Sequence, residues 1–373
     1  MKIPSFTRTE LVLYISSLGL LSSLLLTATA WGVNRPYPLA PIIPGFLLPH
    51  EIQLLLYWIV CVGLLFSLFL KAFRINIIAI VLTALLILVL LDNTRLQPWV
   101  FHYSAILLLF SAFIPAKYVT TEHILDAARI VVGGIYFWSG VQKMNFRFID
   151  SIFPSFTEPL WEAQGVVLLY AFAALGIFVP FIEATFALGF FARKTRIYAV
   201  LASACMLVLV LASIGPTGQN WNSSVWPWNL AIFSFVLVLF WRTDFTFFEF
   251  IKRQKKNTLG FVMFSLFWLL PIGNFFGITD HYLSWSLYSG KVPEATLYAD
   301  QNFLETFSSS ASGGELTFID FSHDTINMVP YPEVRVFTTV FEKLCSQHND
   351  QEMQMKIQTD FRNGAIPQEF SCN

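Results

Sequence analysis

Long apolar runs separated by short polar breaks dominate the first three quarters of the chain. The runs fall at about residues 11–31, 52–71, 75–91, 99–115, 126–143, 165–191, 196–214, 226–241 and 258–276. A helix needs about 20 mostly apolar residues to cross the hydrocarbon core of a bilayer, and only structures that satisfy their own backbone can do so. The pattern therefore predicts an all-α polytopic membrane bundle of about nine transmembrane helices over residues 1–276. The first run is followed by Trp31, Gly32, Val33 and Asn34, a poor small-residue cleavage site, so it reads as a retained span rather than a removed signal sequence. From residue 277 the pattern changes. Turn-rich Ser308 to Gly314, an alternating run from Glu315 to Phe321 and an amphipathic stretch from Glu333 to about His348 predict a small α+β domain over 277–373. A segment of this size buries only a modest core by itself, so it is expected to pack on the outer mouth of the bundle.

Composition agrees with the pattern. Of 373 residues, 55% are hydrophobic and 13% charged, with a mean hydropathy of +0.61, whereas a soluble domain carries about 25% charged residues. An ordinary cytosolic globule is excluded. The net charge of −1 hides an asymmetry. With the N-terminus inside, the inner segments hold Arg8, Lys71, Arg74, Arg193, Lys194, Arg196, Arg242, Lys252 and Arg253 among others, while the outer loops before the tail hold only Arg35, Arg95, Lys143 and Arg147. Positive residues are retained on the cytoplasmic side, which places the tail outside, periplasmic or lumenal, on a multi-pass protein of the cell (inner) membrane. The Lys252 to Lys256 run reads as an anchor of that kind and not as a nucleic-acid patch. Cys61 and Cys205 lie in apolar runs and read as small hydrophobes. Cys345 and Cys372 both fall in the tail, where an oxidising compartment lets them form a disulfide or stay as two free thiols.

Polar groups in the spans narrow the search for chemistry, since an ionisable side chain at a helix centre costs roughly 2.5–3.5 kcal/mol on insertion scales. Arg129, Gly133, Tyr136, Gly140 and Lys143 recur at steps of 4, 3, 4 and 3, one narrow helix face that must look inward. Glu183, on a stripe with Gly176 and Pro180, is expected at the level of Arg129 and forms with it a structural ion pair. Asp92, Asn93, Arg95 and His102 collect at the outer mouth with the uncharged loop GPTGQNWNSSVWPWN, which supplies Gln219, Asn220, Trp221, Asn222, Trp226, Trp228 and Asn229. Rings and amides together suit a flat, carbonyl-bearing ligand, and the tryptophans equally suit a plain interfacial belt. Asn222-Ser223-Ser224 also fits a glycosylation acceptor. The Pro- and aromatic-containing loops at about 32–51 and 144–164 are candidate lids.

The segment Tyr136 to Asn145, YFWSGVQKMN, resembles a signature of the horizontally transferred transmembrane domain, the family of the vitamin K-dependent gamma-carboxylase. Trp99-Val100-Phe101-His102, Leu270-Pro271 and Tyr282 to Trp285 resemble further stretches of it. The resemblance implies that Lys143 is the base acting on a reduced quinone or another lipophilic small molecule. In such a site His102 would hold the resulting oxyanion, and Tyr136, Gly140 and the loop residues 219–229 would bind the ligand. Arg129, Ser139-Gly140, Lys143, Glu183, Gly189, Arg193 and Arg196 are similar to the pattern of the DoxX and MauE families, membrane proteins associated with redox partners. The tail is much shorter than the carboxylase's lumenal portion, so glutamate carboxylation is not implied. Two functions follow as expectations. One is an outward-facing pocket with carboxylase-like or redox-linked chemistry at Lys143; the other is a non-catalytic membrane partner whose tail docks an external protein. Metalloprotease, phosphate-loop, dithiol and serine-hydrolase motifs are absent, and no metal site is expected.

Overall fold

The computed structural model describes residues 6–32, 35–114, 120–162, 166–254, 259–359, 361 and 366–372, with the side chains of 166–173 and 254 outside that description. The chain is mostly helical. In order come α1 (Arg8–Leu26), α2 (His50–Phe69), α3 (Arg74–Leu91), α4 (Pro98–Leu108), α5 (Thr121–Gln142), α6 (Phe153–Trp161), α7 (Val166–Gly189), α8 (Arg196–Ile214), α9 (Val225–Phe240), α10 (Phe247–Gln254) and α11 (Leu259–Phe264). The last continues through a wide turn, Ser265–Leu269, into a tight one, Leu270–Phe276. Local sequence sets the boundaries. Thr7 and Glu10 form a reciprocal capping box on α1, Pro98 opens α4 where its missing N–H costs nothing, and Gly215 closes α8.

Among the described residues six helical stretches are long and apolar enough to cross a membrane: Arg8–Leu26, His50–Phe69, Arg74–Leu91, Thr121–Gln142, Arg196–Ile214 and Leu259–Phe276. Nine runs were expected, and six of them reach that length among the described residues. The described part of α7 and the whole of α9 are shorter apolar helices. The run at 99–115 is helical only over Pro98–Leu108, a length of roughly 16 Å and about half a bilayer core. The turn residues that follow lie beside the start of α3, where the Ala112 N–H donates to the Ile75 carbonyl, 3.2 Å away. Residues 115–119 lie outside the described set. Large apolar side chains such as Leu55, Trp58, Phe66, Ile80, Phe178, Leu201 and Val208 point away from the bundle. In water so broad an apolar surface would drive aggregation; hydrocarbon is the solvent that suits it.

α5 is the central helix. Its most apolar window is 78% buried, against 22–44% for the other five stretches. Small residues let its neighbours approach. A side chain at Gly134 would meet the Phe267 carbonyl at 2.5 Å, and one at Gly140 would meet the Ala184 backbone nitrogen at 2.5 Å and the Pro180 carbonyl at 2.7 Å.

The tail is a four-stranded antiparallel sheet in the order β2-β1-β3-β4, built from β1 (Glu294–Tyr298), β2 (Glu315–Thr317), β3 (Gln354–Gln358) and β4 (Gln368–Ser371). The helices Phe318–Ile326 and Val334–Gln347 bury Phe318, Phe321, Phe337, Val340 and Leu344. Cys345 and Cys372 form a disulfide across 27 residues of chain. The tail sits on the bundle end formed by residues 92–97, 145–147 and 215–229. Gln97 Nε2 donates to the Val329 carbonyl (3.0 Å), Lys343 Nζ to the Leu39 carbonyl (2.8 Å), and Arg147 pairs with Glu294 (2.6 Å). The opposite end holds Arg8, Arg129, Arg196 and Arg253, tied to carbonyls or to Asp126.

Two outcomes follow. Gly140→Leu, which must push α7 off α5 at backbone atoms, is expected to cost about 1–3 kcal/mol or more. The readout is a lowered unfolding midpoint in detergent, and an unchanged midpoint would contradict the close approach. Cys345→Ser should cost the tail about 3 kcal/mol through a freed loop, seen as faster limited proteolysis of residues 294–372 while the bundle stays resistant.

Candidate functional site

Lys143 caps the C-terminus of α5, where its side chain turns inward. Its Nζ lies 2.8 Å from Glu183 Oε2 and 2.6 Å from Ser139 Oγ. The two charged side chains are 15% and 5% exposed, so the pair is nearly sealed from water. It lines a cavity of about 110 Å³ together with Tyr136, Trp228 and Asn229. The rest of the wall is apolar or aromatic, including Phe148, Phe153, Phe156, Met206, Val210 and Trp285.

The expected Arg129–Glu183 pair is not formed. Arg129 binds Asp126 (2.7 Å) and the Leu239 carbonyl (3.0 Å), and its guanidinium lies over Phe245. Helix register explains the difference. Gly133 faces Phe191, just past the end of α7, and Gly140 faces Ala184 within it, so the two segments run antiparallel in matched steps. Glu183 therefore stands level with the end of α5, roughly 18 Å along the axis from Arg129. Helical periodicity had placed both groups on inward faces but could not give their depth.

The remaining expected residues divide by position. Tyr136, Lys143, Trp228 and Asn229 line the cavity, whereas Gly140 makes the helix contact beside it. His102 does not line it. Fully buried, it accepts a hydrogen bond at Nδ1 from Trp228 Nε1 (3.0 Å) and so stands behind a wall residue. Its Nε2 has no partner among the described residues. Gln219 and Trp221 line a second, outer cavity of about 480 Å³ between the tail and the bundle. Trp226 Nε1 donates to the Ile214 and Trp221 carbonyls and braces the loop. Asn220 turns the backbone with φ 50°. Asn222 is buried and its amide donates to the Tyr288 hydroxyl, an arrangement that rules it out as a glycan acceptor in the folded chain.

Sequence reasoning missed the partition between the cavities. Ile152, Phe156, Leu287 and Tyr288 belong to both walls. The Tyr288 ring packs 5.6 Å from Phe156 and 5.7 Å from Trp221. Burial holds its phenol well above the usual tyrosine range, so it stays a neutral hydroxyl. Backbone strain collects here: Asn220, Asn222, Trp285 and Tyr288 all have positive φ, between 47° and 64°. For bulky residues that conformation is unfavourable and persists only where surrounding contacts enforce it. The one signal in the sequence was the aromatic, proline-containing 144–164 loop, whose Phe148, Phe153 and Phe156 reach the inner cavity.

Tyr288→Ala is expected to merge the two cavities. With Ser139→Cys as reporter in a Cys205→Ala background, a small membrane-impermeant maleimide should label several-fold faster in the Tyr288→Ala protein; equal rates would mean that Tyr288 is no barrier. No family model, curated protein or solved structure matches the chain, so the reading of the site rests on its own geometry.

Proposed function

We propose that this chain is a membrane protein whose inner cavity receives a lipophilic small molecule bearing a hydroxyl or carbonyl group, with Lys143 and Glu183 as its proton-transfer pair. The observation that carries the reading is an ion pair that lines a mostly apolar cavity. Structural ion pairs need no cavity, and an apolar cavity needs no charge; the two together are the usual make-up of a ligand site. Aromatic walls at Tyr136 and Trp228 suit a flat ring, and Asn229 adds one polar contact. A quinone-like ligand, as the resemblance at residues 136–145 implies, fits this donor set.

The chemistry is set by the pair. In its charged form Glu183 accepts a proton from the ligand hydroxyl, and the Lys143 ammonium faces the oxyanion left behind. If the proton on Lys143 first passes to Glu183 across their 2.8 Å hydrogen bond, the neutral amine becomes the base instead. Both routes end in the same state, with a protonated carboxyl, an ammonium and an oxyanion between them. Desolvation strengthens that last contact relative to water. His102 acts through Trp228 as a positioning residue. We further propose nine crossings, with 98–114 as a partly helical fourth, and the tail on the external side, since the arginine-rich end lies opposite it.

A non-catalytic scaffold is the rival, and the saturation of Lys143 by both Glu183 and Ser139 favours it. Deleting the tail does not separate the two readings, because Leu287 and Tyr288 lie within 277–373 and their loss would open the cavity. Substituting Lys143 does. Wild-type protein purified in mild detergent should carry a lipophilic molecule, identified by mass spectrometry, that falls at least tenfold in Lys143→Ala at equal expression. Lys143→Arg should retain binding and lose turnover, as a guanidinium is not a base at neutral pH. Unchanged occupancy in Lys143→Ala would leave only the scaffold.

A further inference from the structure

At the outer end of the last membrane-length stretch, Phe275 and Phe276 are 51% and 73% exposed, and the neighbouring Phe146 is 85% exposed. Lys291 Nζ lies 4.9 Å above the Phe275 ring. Beside them opens a cleft of about 430 Å³, lined by Asn145, Arg147, Phe275, His281 and Lys291 among others. The charges in it do not cancel. Arg147 is paired with Glu294 (2.6 Å) and His281 with Glu333 (2.9 Å), while Lys291 has no carboxylate partner among the described residues. Burial pushes its ammonium below the ordinary lysine range, as expected of a cation that lacks an anion.

We propose that this cleft binds the headgroup phosphate of an anionic phospholipid, held by Lys291, with the acyl chains lying along Phe146, Phe275 and Phe276. The exposed rings require hydrocarbon, which a free phosphate ion does not bring. The nearby carboxylates are already engaged, so a zwitterionic headgroup gains nothing for its cationic end. The proposal rests on the bundle spanning a bilayer but not on the chemistry at Lys143, and a Lys143 variant should leave it untouched.

The test counts lipid bound to the full chain by native mass spectrometry after delipidation and exposure to phosphatidylglycerol, phosphatidylcholine or inorganic phosphate. Wild-type protein should prefer phosphatidylglycerol over phosphatidylcholine roughly fivefold, the scale of one interfacial lysine. The preference should vanish in Lys291→Gln, survive in Lys291→Arg and weaken as salt rises. Retention of the full preference by Lys291→Gln would overturn the assignment. So would a salt-independent preference in the wild type, which needs no variant, or displacement of the lipid by inorganic phosphate at comparable concentration.

Discussion

A charge inside hydrocarbon has no water to solvate it, so each buried cation of this bundle must be met by an anion, a carbonyl or a ring. Three ion-paired arrangements satisfy that demand, and Arg196 is met by the Phe190, Thr243 and Phe245 carbonyls. Arg129 and Arg253 share Asp126, Arg35 and Arg95 share Asp92, and Lys143 meets Glu183. In the first two, backbone carbonyls take up further donors: Leu239 for Arg129, and Ala30, Leu88 and Trp31 for Arg95. Neither of these clusters lines the inner cavity. Lys143 is different, because its partners are side chains and the space beyond them is a cavity. Removing one member of such a pair costs about 3–5 kcal/mol, a penalty that structure alone would avoid by using two apolar residues.

The inward face of α5 was legible because period and composition reinforce each other: Gly133, Tyr136, Gly140 and Lys143 have no other reason to recur at helical spacing. Depth was not legible. The run 165–191 gave no sign that α7 begins well beyond the end of α5, so Glu183 was assigned one ion pair too deep. The position of His102 behind a wall residue was not legible for a related reason. A Trp-x-x-His spacing fixes a position along α4 but not which neighbour, here Trp228, comes between the ring and the cavity. The nine runs were read from hydropathy alone, which cannot tell that α4 stops at Leu108 and gives way to turns.

The tail was legible as an α+β unit from its alternating and amphipathic stretches, but its part in the site was not. Pairing of Cys345 with Cys372 depends on β4 lying beside β3, with the Cys372 N–H bonded to the Met353 carbonyl, a long-range arrangement that spacing cannot supply. The same holds for Tyr288. Nothing in the residues around it marks a partition; its place comes from Phe156 and Trp221, brought in from two other segments.

The strained backbone ties these parts together. Asn222 at φ 47° donates its amide to Tyr288 at φ 57°, and its backbone N–H donates to His323 of the tail at 3.3 Å. Asn327 of the tail donates to Ser223 in the same loop (2.7 Å). Each positive-φ residue of this kind costs about 1–3 kcal/mol and needs neighbours that over-determine it. Those neighbours come from both the bundle and the tail. The wall beside the Lys143–Glu183 pair is thus a joint product of bundle and tail, since Ile152 and Phe156 come from one and Leu287 and Tyr288 from the other.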